Sequence, residues 1–156
     1  QAIMEKYIAL YNPSPPEIGF IFDNLTFQGL KKFYNSGDVF LNPTESEAFS
    51  LPCLEAMSCG KPVITTNYGG QTDYITNYNG WLINGEMHEV KHEVIYEGVN
   101  WMKPNIDELK KVMRYVYEYQ DEVKKKGLKS LEDSRELTWN NSSLKAISFL
   151  KELLIV

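Results

Sequence analysis

Residues 39–80 read VFLNPTESEAFSLPCLEAMSCGKPVITTNYGGQTDYITNYNG, and they contain the clearest alternation of strand and helix patterns in the chain. Val39–Asn42 is a short apolar run that ends before a proline, as buried strands often do. Ser50 is placed to cap the helix that follows, which Gly60 ends. Pro62–Thr65 predicts a second buried strand. A strand, a crossover helix and a strand predict a βαβ unit, and such units bind ligands beyond the carboxyl ends of the strands.

Two acidic residues fall on the ligand side of this unit. Glu47 precedes the predicted helix, and Glu55 lies one turn into it. The amino end of a helix offers unpaired N–H groups and a positive dipole end, which suit a phosphate. Carboxylates accept hydrogen bonds from the paired hydroxyls of a sugar or a ribose. The spacing alone leaves two interpretations open, a sugar and phosphate site or ordinary surface charge.

Composition excludes several classes of protein. The formal net charge of -5 argues against a general nucleic-acid binder, which would need a basic surface. No apolar run reaches the roughly 20 residues that span a bilayer, and no signal peptide is visible. Cys53 and Cys59 share one short predicted helix and are interpreted as core residues rather than a disulfide or a metal site. We expect a cytoplasmic protein, with peripheral membrane association left open. Because position 1 is not a methionine, we also expect a fragment of a longer chain.

The rest of the chain continues the alternation of strands and helices. Ile18–Phe22 and Trp81–Ile83 are predicted strands, so the fold class is α/β, a Rossmann-like doubly wound and mostly parallel sheet. Residues 84–99 lose this pattern and are expected to form a surface ribbon or an insertion. We expect a single domain over residues 1–156, with a core over residues 18–83 and a helical tail over residues 104–156.

Two helices are predicted in the tail. A long helix opens at Pro104 and ends at Lys124–Lys126, whose cations suit the helix dipole, just before Gly127. The last helix, about Ser142 to Leu154, has a broad apolar face. We expect that face to pack on a neighbouring domain or on another subunit of an oligomer.

A competing motif lies in the irregular region. His88-Glu-Val-Lys-His92 satisfies H-E-x-x-H, the pattern of two zinc ligands one helical turn apart with a general-base glutamate. Lys91 places a cation between the two histidines, and Ile95 stands where the extended motif has glycine. The surrounding alternation of polar and apolar residues favours a strand, so a zinc hydrolase is the less favoured alternative.

The string Glu47–Thr65, followed by Tyr68–Gly70 and Asn79–Gly80, resembles the donor-binding half of retaining glycosyltransferases with the GT-B architecture. Their hallmark Glu-x7-Glu corresponds to Glu47 and Glu55, inside the longer pattern E-G-F-G-L-x-x-L-E-A-M-A-x-G-x-P-V. The resemblance implies a hexosyltransferase that takes a sugar from a nucleotide sugar, such as a UDP- or GDP-hexose, with retention of anomeric configuration. It also implies metal independence and no resident cofactor, in keeping with the absence of an Asp-x-Asp pair.

The resemblance assigns a role to each matching position. The catalytic residue would be Glu47, which would hold the donor sugar's hydroxyls and steady the charge that develops at the anomeric carbon. Glu55 would accept hydrogen bonds from the ribose. The other donor-binding positions are a loop whose amides approach the sugar and diphosphate (Ala48, Phe49, Ser50 and Leu51), a loop bordering the base (Phe22, Asp23 and Asn24) and two glycines shaping the pocket floor (Gly69 and Gly70).

Two departures from the family pattern affect these expectations. Ala48 and Ser50 stand where glycine is usual, which narrows the approach to the backbone and is expected to alter donor choice. The family's diphosphate-binding Arg and Lys, and its N-terminal acceptor domain, would lie before Gln1. We therefore expect this chain to be inactive alone and to need that acceptor domain as a partner. The alternative from another class is a non-catalytic scaffold or binding module of the same fold.

Overall fold

A computed structural model describes residues 6, 8, 10, 14–91 and 97–154. The chain divides into two compact units, Gln1–Leu30 and Lys31–Val156. In the first unit the predicted strand Ile18–Phe22 is wrong, since these residues form neither a helix nor a strand. Ile21 and Phe22 are 58% and 72% exposed, and no described strand pairs with them. A short apolar run becomes a buried strand only where a partner strand satisfies its backbone.

The second unit is built on a parallel sheet, as predicted. Its strands are β1 (Phe40–Asn42), β2 (Val63–Thr66) and β3 (Gly80–Ile83), in the order β1–β2–β3. Helix α1 (Phe27–Ser36) precedes β1, and helix α2 (Leu51–Ser58) crosses from β1 to β2. A 3₁₀ turn, Gly70–Asp73, lies between β2 and β3. The α/β class and the central βαβ unit are therefore confirmed.

Two helices pack with this sheet, where one long helix was predicted. They are α3 (Ile106–Glu118) and α4 (Gln120–Ser134), and they join at Tyr119, whose φ of -111° and ψ of 63° leave the helical region. Asn105 caps α3 by accepting hydrogen bonds from the amides of Asp107 and Glu108. The hydrophobic core combines sheet and helix residues: Ile64, Trp81, Ile83, Leu109, Val116 and Val123.

Gly127 does not end a helix, because it lies in the middle of α4. A β-carbon at this position would lie 2.4 Å from the carbonyl oxygen of Gly60. The glycine is therefore required by the close approach of α4 to the turn that follows α2, and not by a helix terminus.

We expect Gly127→Ala to lower the free energy of unfolding by about 1–2 kcal/mol, because the clash with a backbone oxygen outweighs alanine's better helix propensity. Urea denaturation measures the change. Leu128→Ala is the control, since Leu128 is 72% exposed on the same helix. A Gly127→Ala variant as stable as the wild type would contradict this prediction. It would show that α4 can move away from Gly60 without lowering the free energy of unfolding.

Lys126 is buried rather than presented to solvent at a helix end. Its ammonium lies 4.6 Å from the centroid of the Trp81 ring and donates to the carbonyl oxygens of Gly80, at 2.9 Å, and Asn77. A Glu122 carboxylate oxygen lies 3.7 Å away. Burial lowers the pKa of this lysine, while Glu122 opposes the shift. Lys126 thus ties α4 to the turn before β3 through charge-assisted hydrogen bonds and a cation–π contact.

The predicted surface ribbon is confirmed where its two strands pair. Strands β4 (Gly85–Glu89) and β5 (Asn100–Pro104) pair antiparallel, with His88 opposite Trp101. His88 and Glu89 are therefore in an extended strand and not in the helix that the zinc motif requires. The second histidine of that motif, His92, lies outside the described residues.

Helix α5 (Trp139–Leu154) begins three residues before the predicted Ser142. Its apolar side chains are exposed: Leu144, Ile147, Phe149, Leu150 and Leu153 are all between 48% and 62% accessible. The packing of this face on another domain or subunit stays a prediction. None of the helices in the described part of the chain has the length and apolar character needed to cross a membrane.

Candidate functional site

The loop between β1 and α2 lies beyond the carboxyl end of β1, where the sequence placed the ligand. We call residues 47–51 the Glu47 loop. The Glu47 side chain is half-buried, and its Oε1 accepts a hydrogen bond from the amide of Ala48 at 3.2 Å. This carboxylate therefore already engages one of the amides assigned to the donor. A donor that used the Ala48 amide would displace Glu47 from it.

Ser50 does not cap α2 through its side chain, contrary to expectation. It has φ 63° and ψ 73°, and its hydroxyl makes no capping hydrogen bond. It is the one residue other than glycine with positive φ in the described structure. Glycine adopts this left-handed conformation freely, whereas a residue with a β-carbon pays about 1 kcal/mol. The GT-B glycosyltransferases that this sequence resembles usually have glycine at this position. Glycine suits the left-handed backbone conformation that Ser50 adopts here.

A buried hydrogen-bond cluster holds the Ser50 side chain. Asn42, at the end of β1, donates from Nδ2 to the Ser50 Oγ at 3.0 Å and to the Cys53 Sγ at 3.2 Å. The Ser50 hydroxyl in turn contacts the same sulfur at 3.1 Å. Burial raises the pKa of the Cys53 thiol despite these two partners, so the thiol stays neutral. Cys53 is buried, as predicted, whereas Cys59 is only partly buried.

Gly69 and Gly70 support the Glu47 loop from beneath. The Gly70 amide donates to the Glu47 carbonyl oxygen at 3.0 Å. A β-carbon on Gly70 would lie 1.8 Å from the Ala48 carbonyl oxygen, and one on Gly69 would lie 2.5 Å from that of Glu47. Gly69 also has a φ of 95°, in the region that glycine favours. The two glycines thus let one backbone lie directly on another, which no other residue permits.

Tyr74 holds the same loop from the 3₁₀ turn. Its single hydroxyl proton is shared between two successive carbonyl oxygens, of Phe49 at 2.6 Å and of Ser50 at 2.8 Å, in a bifurcated hydrogen bond. Its ring packs on the Phe49 ring, with centroids 5.1 Å apart. Burial raises the pKa of this phenol, with smaller contributions from Cys53 and Glu47. The hydroxyl therefore stays protonated and remains a donor at every physiological pH.

Two side chains of the Glu47 loop line an apolar cavity. Phe49 and Leu51 are 41% and 60% exposed. Together with Leu137, which precedes α5, and Trp139, the first residue of α5, they line a cavity of about 490 Å³. These two side chains therefore offer apolar contacts and no hydrogen bonds.

Glu55 is exposed on α2 and is held by one neighbour. The Tyr34 hydroxyl donates to its Oε2 at 2.9 Å. Tyr34 is itself buried in α1, where its ring makes an edge contact with Phe40 at 5.4 Å. Burial first, and then the hydrogen bond to Glu55, raises the pKa of Tyr34. The tyrosine thus stays protonated and fixes one carboxylate oxygen of Glu55.

The ribbon of β4 and β5 is held against the loop region by hydrogen bonds that the sequence did not predict. The amide of Met102 donates to the carbonyl oxygen of Glu45 at 2.9 Å, and the Glu45 Oε2 lies 2.7 Å from the His88 Nε2. Tyr68 donates to the carbonyl oxygen of Asn100 at 2.9 Å. His88 therefore pairs with a carboxylate, and the described residues contain no cluster of three potential metal ligands.

The predicted site residues divide into two groups. The Glu47 loop, Glu55 and the two glycines lie together in the second unit. Phe22, Asp23 and Asn24 belong to the first unit and are exposed in a segment without helix or strand. Sequence reasoning missed Asn42, Tyr34 and Tyr74, because each acts through a side-chain hydrogen bond to another segment, which no local pattern marks.

Comparison with known proteins identifies the family. Residues 20–103, just over half of the chain, match the glycosyl transferases group 1 family. A sulfoquinovosyl transferase of Arabidopsis thaliana is 52% identical over 52 residues, which cover 32% of this chain and 10% of that protein. A D-inositol 3-phosphate glycosyltransferase of Paenarthrobacter aurescens is 42% identical over 57 residues, covering 36% and 14%. The chain thus matches only a small part of the length of these relatives.

Solved structures support the same fold. A sucrose-phosphate synthase of Thermosynechococcus elongatus superposes with a TM-score of 0.57 at 22% identity, over 78% of this chain and 27% of that one. A chain of the GtfA/B complex gives 0.57 at 21% identity, over 79% and 22%. The likeness at this identity concerns the fold, which these structures share with GT-B glycosyltransferases. The family match, with both glutamates inside it, shows that this chain belongs to the glycosyl transferases group 1 family.

Proposed function

We propose that this chain is the donor-binding half of a retaining glycosyltransferase that transfers a hexose from a nucleotide sugar to an acceptor. The observation that carries the proposal is the position of the Glu47 loop beyond the carboxyl end of β1 in a parallel sheet, with Glu55 in the helix that follows this loop. Ligands of open α/β sheets bind at this edge. The two relatives that are similar in sequence are named a sulfoquinovosyl transferase and a D-inositol 3-phosphate glycosyltransferase, which agrees with the proposal.

Each part of the proposed site has a chemical role. The backbone amides at the start of α2 carry the positive end of the helix dipole and would receive the donor's diphosphate. The Glu55 carboxylate, fixed through one oxygen by Tyr34, would accept from the ribose hydroxyls. Glu47 would accept from the sugar hydroxyls and stabilise the positive charge that develops at the anomeric carbon. Ala48 and Ser50, in place of glycine, would restrict which donor sugars fit beside the loop.

The remaining requirements of the reaction would come from outside this chain. We propose that an acceptor domain and the basic residues that neutralise the leaving diphosphate belong to a longer protein. The reaction would need no metal ion, because cationic side chains and helix amides would stabilise the leaving group instead.

Calorimetric titration of the full-length protein with UDP-glucose, GDP-mannose and UDP-N-acetylglucosamine tests the proposal. We expect one of them to bind in the micromolar range. Glu55→Ala should weaken that binding about tenfold or more, because it removes a charged acceptor of two hydroxyls. Glu118→Ala is the control, since it removes an exposed helical carboxylate outside the site. Failure of all three donors to bind below the millimolar range would sink the proposal and favour the binding-module alternative.

A further inference from the structure

We infer that Tyr74 is a positioning residue, which aims the backbone amides of Ser50 and Leu51 at the donor's diphosphate. The inference rests on the proposed function and adds to it a residue that touches no substrate. It is carried by the hydrogen bonds of one hydroxyl to two successive carbonyl groups. It also depends on the unusual backbone conformation between them.

The first step is geometric. The Tyr74 hydroxyl holds the carbonyl oxygens of Phe49 and Ser50 at 2.6 and 2.8 Å. Both peptide bonds are trans, so the N–H that follows each carbonyl points in the opposite direction. The N–H groups that follow are those of Ser50 and Leu51. Tyr74 therefore turns two adjacent donors away from itself and onto the opposite side of the loop.

The second step concerns which amides at this helix end are available. The carbonyl oxygen of Ser50 accepts from the amides of Cys53 and Leu54, at 3.1 and 3.3 Å. The amides of Ser50 and Leu51 donate to no atom among the described residues. They are thus the donors that the first turn of α2 leaves for a ligand, at the positive end of its dipole.

The third step is the cost of this conformation. Ser50 has positive φ, which a serine adopts only when its surroundings impose it. Two tethers do so, since Asn42 holds the side chain and Tyr74 holds the backbone. Without the phenol hydroxyl, the Phe49 carbonyl oxygen loses its only described hydrogen bond, whereas the Ser50 carbonyl oxygen keeps those from the Cys53 and Leu54 amides. The Phe49–Ser50 peptide then becomes free to rotate toward an unstrained geometry. This rotation misaligns the Ser50 amide with respect to the Leu51 amide, so the pair no longer faces one ligand.

Tyr74 is itself held firmly enough to act as a reference point. Its side chain is 7% exposed, and its carbonyl oxygen accepts from the Asn79 Nδ2 at 2.9 Å. Asn79 is almost fully buried and also donates to the Asp133 carboxylate at 2.8 Å. The hydroxyl is thus carried by a turn that is anchored to α4, so preorganised donors are maintained before the substrate arrives.

The test is Tyr74→Phe in the full-length protein, which removes the hydroxyl and keeps the ring that packs on Phe49. The probes are the nucleotide sugar that binds best and the nucleoside monophosphate of the same base, UMP or GMP. We expect the nucleotide sugar to bind about tenfold more weakly, because the diphosphate loses its aimed amides. The monophosphate should change less than about twofold, since its ribose contact with Glu55 is intact. A general loss of structure would weaken both ligands together.

Tyr68→Phe is the matched control, because it also removes a phenol that donates to a backbone carbonyl, that of Asn100. It should leave both affinities at the wild-type value. Wild-type affinity for the nucleotide sugar in Tyr74→Phe would overturn the inference and leave the proposed function standing, and so would an equal loss for both ligands. Failure of the wild-type protein to bind any nucleotide sugar would instead overturn the proposed function itself, and the inference with it.

Discussion

The Gly70→Ala variant is expected to lose about 2–3 kcal/mol of folding free energy and most of its affinity for a nucleotide sugar. Its β-carbon would lie 1.8 Å from the Ala48 carbonyl oxygen, 2.8 Å from the carbonyl carbon and 3.3 Å from the Phe49 Cα. All three are backbone atoms, so no side-chain rotation relieves the clash. The Glu47 loop must move instead, which breaks the hydrogen bond between the Gly70 amide and the Glu47 carbonyl oxygen. The same movement displaces the amides that we propose to bind the donor.

Urea denaturation and a calorimetric titration of the same variant measure the two effects. Gly37→Ala is the control, because a β-carbon there meets its nearest neighbour at 3.7 Å, an ordinary contact, and its φ is not positive. Wild-type stability and donor affinity in Gly70→Ala would show that neither property depends on the close approach of the Gly70 and Ala48 backbones.

The central βαβ unit was predictable because its local signals agree with its tertiary environment. Pro43 follows the end of β1, Gly60 follows α2, and Pro62 comes directly before β2. Strands β2 and β3 are mostly buried, as expected inside a parallel sheet, so their short apolar runs identify them. Gly60 has a φ of 72°, which is the conformation that its position after a helix predicted.

Other elements depend on contacts that a local pattern does not contain. Ile18–Phe22 has the composition of a buried strand but no described partner. Gly127 looks like a helix terminus and is instead a crossing point with Gly60, which lies far away along the chain. The break at Tyr119 has no mark in the sequence, since neither proline nor glycine stands there. The sequence therefore predicted one long helix where the structure has α3 and α4.

The candidate site shows the same division. Glu47, Glu55 and the glycine pair are predicted as site residues because a motif fixes their order along the chain. The residues that hold them were not predicted, since nothing in the sequence marks the hydrogen bond that a tyrosine makes to another segment. Ser50 is the clearest case. Its residue type predicted a cap, and the close packing of the loop imposes a backbone angle at which the serine does not cap the helix.

Glu47→Gln is expected to lower kcat about 100-fold or more in the full-length enzyme, with a change in donor KM of only a few-fold. The amide keeps the size of the side chain and an oxygen that accepts from the Ala48 amide, as Oε1 now does. What the substitution removes is the negative charge. That charge matters most when positive charge develops at the anomeric carbon, so its loss raises the barrier more than it weakens ground-state binding.

Glu45→Gln provides a control within the same loop region. Glu45 is two positions earlier and half-buried, and its carboxylate pairs with His88 rather than with the proposed donor. The Glu45→Gln variant should keep kcat within about twofold of the wild-type value, because the Glu45 carboxylate is engaged by His88 and has no proposed role in the reaction. Steady-state kinetics with varied donor concentrations separate kcat from the donor KM.

Equal losses of kcat in Glu45→Gln and Glu47→Gln would indicate a general effect of loop charge. A raised KM with unchanged kcat in Glu47→Gln would reassign that residue to donor binding, since an interaction specific to the transition state must appear in kcat.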